Sequence, residues 1–193
     1  MPRLTEASRL RRRDDIAAAA MRCFARDGFS NTSMADIIRE ARTSSGSVYS
    51  NFENKIELVR YASSNALHGL IGTVTEELPS ERTPSSVLMH LLRASADRAH
   101  AETLLQIWAE APRDPELANV AERTTLELRA LVEALLMPWC REHASTLPAL
   151  EADTLADAVL TTLQGFIVRL AIDRHADPEV LANRTVAAFL RLQ

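Results

Sequence analysis

Cysteine is scarce in this chain of 193 residues: only Cys23 and Cys140 occur, with no C-x-x-C pair and no cysteine–histidine cluster. Neither a disulfide framework nor a zinc site is expected, and the chain is long enough to stabilise itself through a buried core. Long apolar runs are lacking too. The alanine-rich stretch 16–20 follows a basic N-terminus, yet Asp14, Asp15 and Arg22 flank it too closely for a secretory signal. No other run approaches the ~20 apolar residues of a membrane span. The expectation is a cytoplasmic protein with no membrane partner.

Motifs of catalysis are equally thin. Asp97-x-x-His100 has no second such pair to complete a carboxylate-bridged metal site, and His68, His143 and His175 stand apart. Glu142-His143 lacks the spacing of a zinc-protease helix, and there is no glycine-rich phosphate loop or nucleophile elbow. No catalytic residue, metal site or cofactor is expected. A helical-bundle enzyme, or a partner-binding protein without regulatory DNA binding, stands as the alternative to the reading developed below.

Net charge is −4, but it is unevenly placed. Through Arg60 there are eleven arginines and lysines against eight acids; the remainder has eleven against eighteen. The positive end is where a polyanion would dock, although Arg11–Arg13 alone would serve equally as a solvated helix start.

Runs of alternating apolar and polar residues bounded by turn signals are absent, while apolar residues recur at helical spacing almost everywhere. The expected fold is all-α, with about nine helices. A first helix spans about Thr5 or Arg9 to Asp27, with Ile16, Ala20 and Phe24 on one stripe and Gly28 as its stop. A second follows Asn31-Thr32-Ser33, with Met34, Ile37, Ile38 and Ala41 at i, i+3, i+4 and i+7. The small polar stretch Arg42-Thr43-Ser44-Ser45-Gly46 then turns the chain before a very short third helix carrying Val48 and Phe52.

Asn54 caps a long fourth helix, about Lys55 to Leu78, with Leu67, Leu70, Ile71, Val74 and Leu78 on its later stripe and Pro79 beyond it. Thr83-Pro84, Asp114-Pro115-Glu116 and Asp177-Pro178-Glu179 each supply a capping oxygen and then proline at the first helical position. They start the fifth, seventh and ninth helices. The sixth covers about Glu102 to Glu110, and the eighth about Ala152 to Arg174, after Pro148.

Three short helices in about fifty residues, the last two joined by a tight polar turn, form a helix-turn-helix arrangement. Such a module lays the first turn of its last helix in the DNA major groove. Ser44, Ser45 and Ser47 offer donors and acceptors without bulk there, Gly46 permits close backbone approach, and Tyr49 can bond a phosphate. Thr32 and Lys55 flank this surface as candidate phosphate contacts. On pattern alone, Thr43–Ser47 would serve equally as a polar connection, with Tyr49 in the core.

The runs Phe24-Ala25-Arg26-Asp27-Gly28-Phe29, Thr32-Ser33-Met34-Ala35-Asp36-Ile37-Ile38 and Ser47-Val48-Tyr49-Ser50-Asn51-Phe52-Glu53-Asn54-Lys55-Ile56-Glu57-Leu58 closely resemble the N-terminal module of TetR-family regulators, over residues 10 to 58 or so. The resemblance implies DNA-facing roles for Thr32, Ser44, Ser45, Ser47, Tyr49, Asn51 and Lys55, to which Ser33, ahead of the second helix, and Arg42 and Thr43, in the turn, are added. It implies core roles for Phe24, Ile37, Val48 and Phe52. The family usually has glycine where Arg42 stands and often a basic residue where Ser45 stands; the first departure adds a candidate phosphate contact and the second removes one.

The resemblance implies a ligand-responsive regulator, a repressor that releases a double-stranded operator when a small molecule binds. Residues 1–53 would form the DNA-binding domain and 54–193 the sensing and dimerisation domain. Ile107-Trp108-Ala109-Glu110-Ala111-Pro112-Arg113-Asp114-Pro115-Glu116-Leu117 looks like a segment of many members. Leu67, Leu70, His90, Leu104, Trp108, Leu128, Met137, Phe166 and Arg169 are candidate lining for an effector cavity, with the alternatives of core packing for the apolar ones and surface for His90 and Arg169.

The eighth helix carries two apolar stripes, Leu155, Val159, Phe166 and Leu170 beside Leu160, Leu163 and Ile167. One arc would face its own domain and the other a second protomer, unless both are buried in one chain. The homodimer interface is expected to comprise Leu155, Val159, Leu163, Gly165, Phe166 and Leu170, with Phe189 and Leu192 contributing from the ninth helix. Gly165 would allow close backbone approach, as the similar family position does.

Overall fold

Ile16, Ala20, Cys23 and Phe24 fall on one stripe of α1 (Glu6–Asp27), and all four are buried. The helix stops at Gly28, whose φ of 86° is a left-handed conformation that a β-carbon would disfavour. α2 (Met34–Glu40) begins with a reciprocal cap: the Ser33 hydroxyl accepts from the Asp36 amide at 3.2 Å, and the Asp36 carboxylate accepts from the Ser33 amide at 2.9 Å. α3 (Ser45–Tyr49) is capped by Ser44, which accepts from the Ser47 amide. α4 (Lys55–Glu77) starts where Asn54 Oδ1 accepts from the Glu57 amide at 2.9 Å.

The computed structural model describes residues 6–77, 82–144 and 151–190. Among these there are nine α-helices and no strand, the all-helical architecture that apolar spacing predicts. The later helices are α5 (Pro84–Ala94), α6 (Arg98–Glu110), a 3-10 turn (Ala111–Arg113), α7 (Pro115–His143), α8 (Ala152–Ile172) and α9 (Pro178–Leu190). Thr83, Asp114 and Asp177 each cap as their sequences suggest, accepting from the amides of Ser86, Leu117 and Val180. Thr5, Leu78, Pro79, Pro148 and Leu192, with the side chains of Ile71, Val74 and Phe189, lie outside the described residues.

The chain divides into two compact units, Met1–Ala66 with Gln106–Ala121, and Leu67–Leu105 with Glu122–Gln193. The first continues past residue 53 because its core draws on Ile56, Leu58, Val59, Ile107, Leu117 and Val120 as well as Phe24, Ile37, Val48 and Phe52. Glu40 of α2 pairs with Arg22 at 2.8 Å and Arg26 at 3.3 Å, holding α2 against α1. Phe24 and Phe29 rings meet at 5.2 Å, and Arg13 lies over both Phe52 and Tyr61.

In the second unit α5 packs on α8 and α9, with Leu88, Leu91, Leu92, Leu163, Leu170 and Ala182 buried. The Arg98 guanidinium donates to three backbone carbonyls, those of Leu170, Asp173 and Ala176, and so satisfies acceptors left over at the C-terminus of α8. Contrary to the expectation from sequence, α8 is long and apolar enough to cross a membrane by length and composition alone. Its inner face is instead spent on packing: eight of its residues are buried within the protomer.

Candidate nucleic-acid interface

Seen from the buried side, α3 is anchored by Val48, which has no exposed surface. This leaves Ser44, Ser45, Gly46, Tyr49 and Ser50 exposed, with Ser47 and Thr43 half-buried. Tyr49 is 53% exposed, so it is a surface phenol and not a core aromatic. Ser33 is exposed at the start of α2. Arg42 is exposed in the turn with φ of 49°, and among the described residues its guanidinium has no hydrogen bond or ion pair. Together these residues make a small, hydroxyl-rich surface around one short helix.

Four placements were not evident from spacing. Thr32 is 2% exposed and its hydroxyl donates to the Gly28 carbonyl at 2.7 Å. That corrects its assignment as a phosphate contact, because the hydroxyl serves the turn that ends α1. Asn51 donates to the Ser47 carbonyl at 2.8 Å, closing the C-terminus of α3. Lys55 donates to the Phe29 carbonyl at 2.7 Å and lies 4.5 Å from the centre of that ring. Burial pulls its ammonium below the usual lysine range, and Asp114 and Glu110 partly offset this. Arg12 was missed as a site residue: its Nη1 donates to Ser47 Oγ at 3.0 Å, from 35 residues away. The basic run Arg11–Arg13 was the only signal for it.

A family model for bacterial regulatory proteins of the TetR family matches residues 16–62, and one for the C-terminal region of BetI-type transcriptional repressors matches residues 79–193. This chain belongs to the TetR family. It is a ligand-responsive, DNA-binding transcriptional regulator, of a family of regulators and not of enzymes. The nicotine-responsive transcriptional repressor HdnoR of Paenarthrobacter nicotinovorans is 25% identical over 190 residues, 93% of this chain and 94% of its own. The transcriptional regulator BetI of Burkholderia lata is 24% identical over 167 residues, 83% of this chain and 82% of its own. Salmonella enterica GusR shares the fold with a TM-score of 0.72 at 23% identity, covering 99% of this chain and 98% of that one. So does Bacillus subtilis FadR, solved with stearoyl-CoA, with a TM-score of 0.73 at 17% identity over 90% and 95% of the two chains. TetR-family regulators bind DNA operators and small-molecule effectors, generally as dimers.

The residues expected to line an effector cavity in this TetR-family regulator are not gathered within one unit. Trp108 falls in the first and the other eight in the second. Leu67 and Phe166 are buried; Leu70, Leu104, Leu128 and Met137 are half-buried. His90 Nδ1 lies 2.8 Å from the Ser86 carbonyl, one turn earlier in α5. Arg169 is exposed, at odds with a lining role, because it falls on the outer face of α8.

The outer face of α8 also corrects the expected dimer surface. Val159, Leu163, Phe166 and Leu170 are between 0% and 3% exposed in the single protomer, so they have almost no area left for a second copy. Leu155 is half-buried. The exposed residues of α8 are Thr154, Asp157, Thr161, Gln164, Gly165, Arg169 and Ile172, the last at 67%, and a β-carbon on Gly165 would meet nothing within 4 Å. Of the expected interface residues that are described, Gly165 alone is exposed; the side chains of Phe189 and Leu192 lie outside the described residues.

Proposed function

We propose that this regulator is a cytoplasmic homodimeric repressor that releases a near-palindromic operator when a small molecule binds its C-terminal domain. The observation that carries this reading is the exposed serine-bearing first turn of α3, with Tyr49 and Arg42 exposed beside it. Residues 1–53 form the DNA-binding domain, joined at its edge by Lys55; residues 54–193 carry sensing and dimerisation. Ser44, Ser45 and Ser47 meet base edges, with Gly46 letting the backbone approach. Ser33, Arg42, Thr43, Tyr49 and Lys55 meet phosphates, and Asn51 holds the end of α3. Lys55 keeps two further donors beyond the one given to Phe29, enough to reach a phosphate.

Two recognition helices spaced about one DNA turn apart would read the two half-sites. The outer face of α8 supports dimerisation, since Gly165 and the apolar Ile172 stay exposed there in the single protomer. An effector that prefers a state with differently spaced α3 helices must weaken operator binding, with a coupling of typically ~5 to 150-fold. α4, which runs without a break from Lys55 to Glu77, is the element proposed to transmit it. The similarity to a nicotine-responsive repressor supports effector-relieved repression, without assigning that effector here.

Duplex binding across a salt series tests the reading. Tyr49→Phe and Lys55→Ala should weaken binding to every sequence alike, and Lys55→Ala should reduce the log–log salt slope by about 1. Unchanged affinity in both variants would remove the phosphate assignments. If the parent protein shifted no duplex at low salt, the DNA-binding reading would be wrong.

A further inference from the structure

Ser47 is tied on three sides. Its amide donates to Ser44, and its carbonyl accepts from Asn51 and from the Ser50 hydroxyl. Its hydroxyl oxygen accepts from Arg12 Nη1 at 3.0 Å. A serine hydroxyl has one proton and two lone pairs, whereas a guanidinium only donates. With a lone pair turned to Arg12, the Ser47 proton has no acceptor among the described residues and is available to an outside group.

Resting on the DNA-binding reading, we infer that Arg12 is a positioning residue for specificity: by taking one of the two lone pairs of the Ser47 hydroxyl, it biases this two-way reader of base edges toward donating. A serine free to rotate contacts either donors or acceptors in the major groove. One whose oxygen faces a guanidinium favours a base that presents an acceptor. Guanine offers N7 and O6, adenine N7 and thymine O4; cytosine offers only its amino donor. The base facing Ser47 is therefore selected against cytosine. Specificity at that position then depends on α1 as well as on α3, joining a residue of the basic N-terminal run to the recognition helix.

The test is selection of duplexes from a random pool by the full-length parent, Ser47→Ala, Arg12→Ala and the double variant, with affinities measured on the selected sites. The position whose preference Ser47→Ala flattens should, in the parent, be depleted of cytosine by ~5-fold or more on one strand. Arg12→Ala should flatten the same position, and the double variant should flatten it no further. Arg12 is exposed on α1, and the cytosine depletion is read from the parent and Ser47→Ala alone, so a poorly folding Arg12 variant does not rescue the inference. It is overturned if that position favours cytosine in the parent. It is also overturned if Arg12→Ala lowers affinity by one factor for all sequences and keeps the preference, as a plain phosphate contact would. A parent protein that enriches no sequence removes the DNA-binding reading itself, and this inference with it.

Discussion

Arg42 occupies a backbone conformation that its side chain resists. With φ at 49° its β-carbon crowds the neighbouring carbonyl, a cost of about 1 to 2 kcal/mol that glycine escapes. Glycine gives back roughly 0.4 to 1 kcal/mol through greater freedom in the unfolded chain. Arg42→Gly should therefore gain about 0.5 to 1 kcal/mol, raising the melting temperature by roughly 1 to 4 °C. Arg42→Ala keeps the strain and loses the guanidinium, so it should gain nothing. Equal melting temperatures for the two variants would show that the turn is not strained. Both variants should bind duplexes more weakly than the parent and with a lower salt slope, because the unpaired guanidinium is what the strain retains. The family's preference for glycine at this position thus has a physical cause.

α2 is seven residues long, too short to persist by its own hydrogen bonds, so its place depends on what ties it down. Ile37 is one tie; the carboxylates of Asp36 and Glu40 are the others. The Ser33 hydroxyl and amide, with help from Arg39, hold Asp36 below the ordinary 3.8. Arg22 and then Arg26 hold Glu40 below the ordinary 4.5. A carboxylate whose folded pKa is depressed contributes stability above its unfolded pKa and loses it as pH falls through the folded value. The melting temperature should accordingly drop as pH falls below about 4.5, and the gap between the parent and an Asp36→Asn, Glu40→Gln variant should close over the same range. A gap that stays constant to low pH would mean these carboxylates do not hold α2.

Asn54, Thr83, Asp114 and Asp177 were legible as caps because capping is decided within four residues. The buried state of Thr32 was not, since it depends on where the Gly28 carbonyl points after α1 ends. Nor was the bond from Arg12 to Ser47, which joins helices 35 residues apart. In α8 the two apolar arcs were visible, but periodicity cannot say how much of them the protomer itself covers: Val159, Phe166 and Leu170 of one arc and Leu160, Leu163 and Ile167 of the other are all buried.

Assembly of the whole molecule can be tested on that same helix with two neighbouring substitutions of opposite expected effect. Phe166 is 3% exposed, so Phe166→Asp buries an unpaired charge in the protomer and should cost about 3 to 5 kcal/mol, giving unfolded or insoluble protein. Gly165 is one residue away on the exposed face, with open space around it. Gly165→Arg should leave the protomer folded, gaining up to about 1 kcal/mol in helix propensity, while a long cation there prevents the close approach of a second α8. Its expected product is a well-folded monomer whose operator affinity falls ~100-fold or more, because the two half-sites are no longer bound by one particle. Molar mass by light scattering and melting temperature separate the cases. A Gly165→Arg protein that stays dimeric at the parent's melting temperature would move the interface away from the outer face of α8.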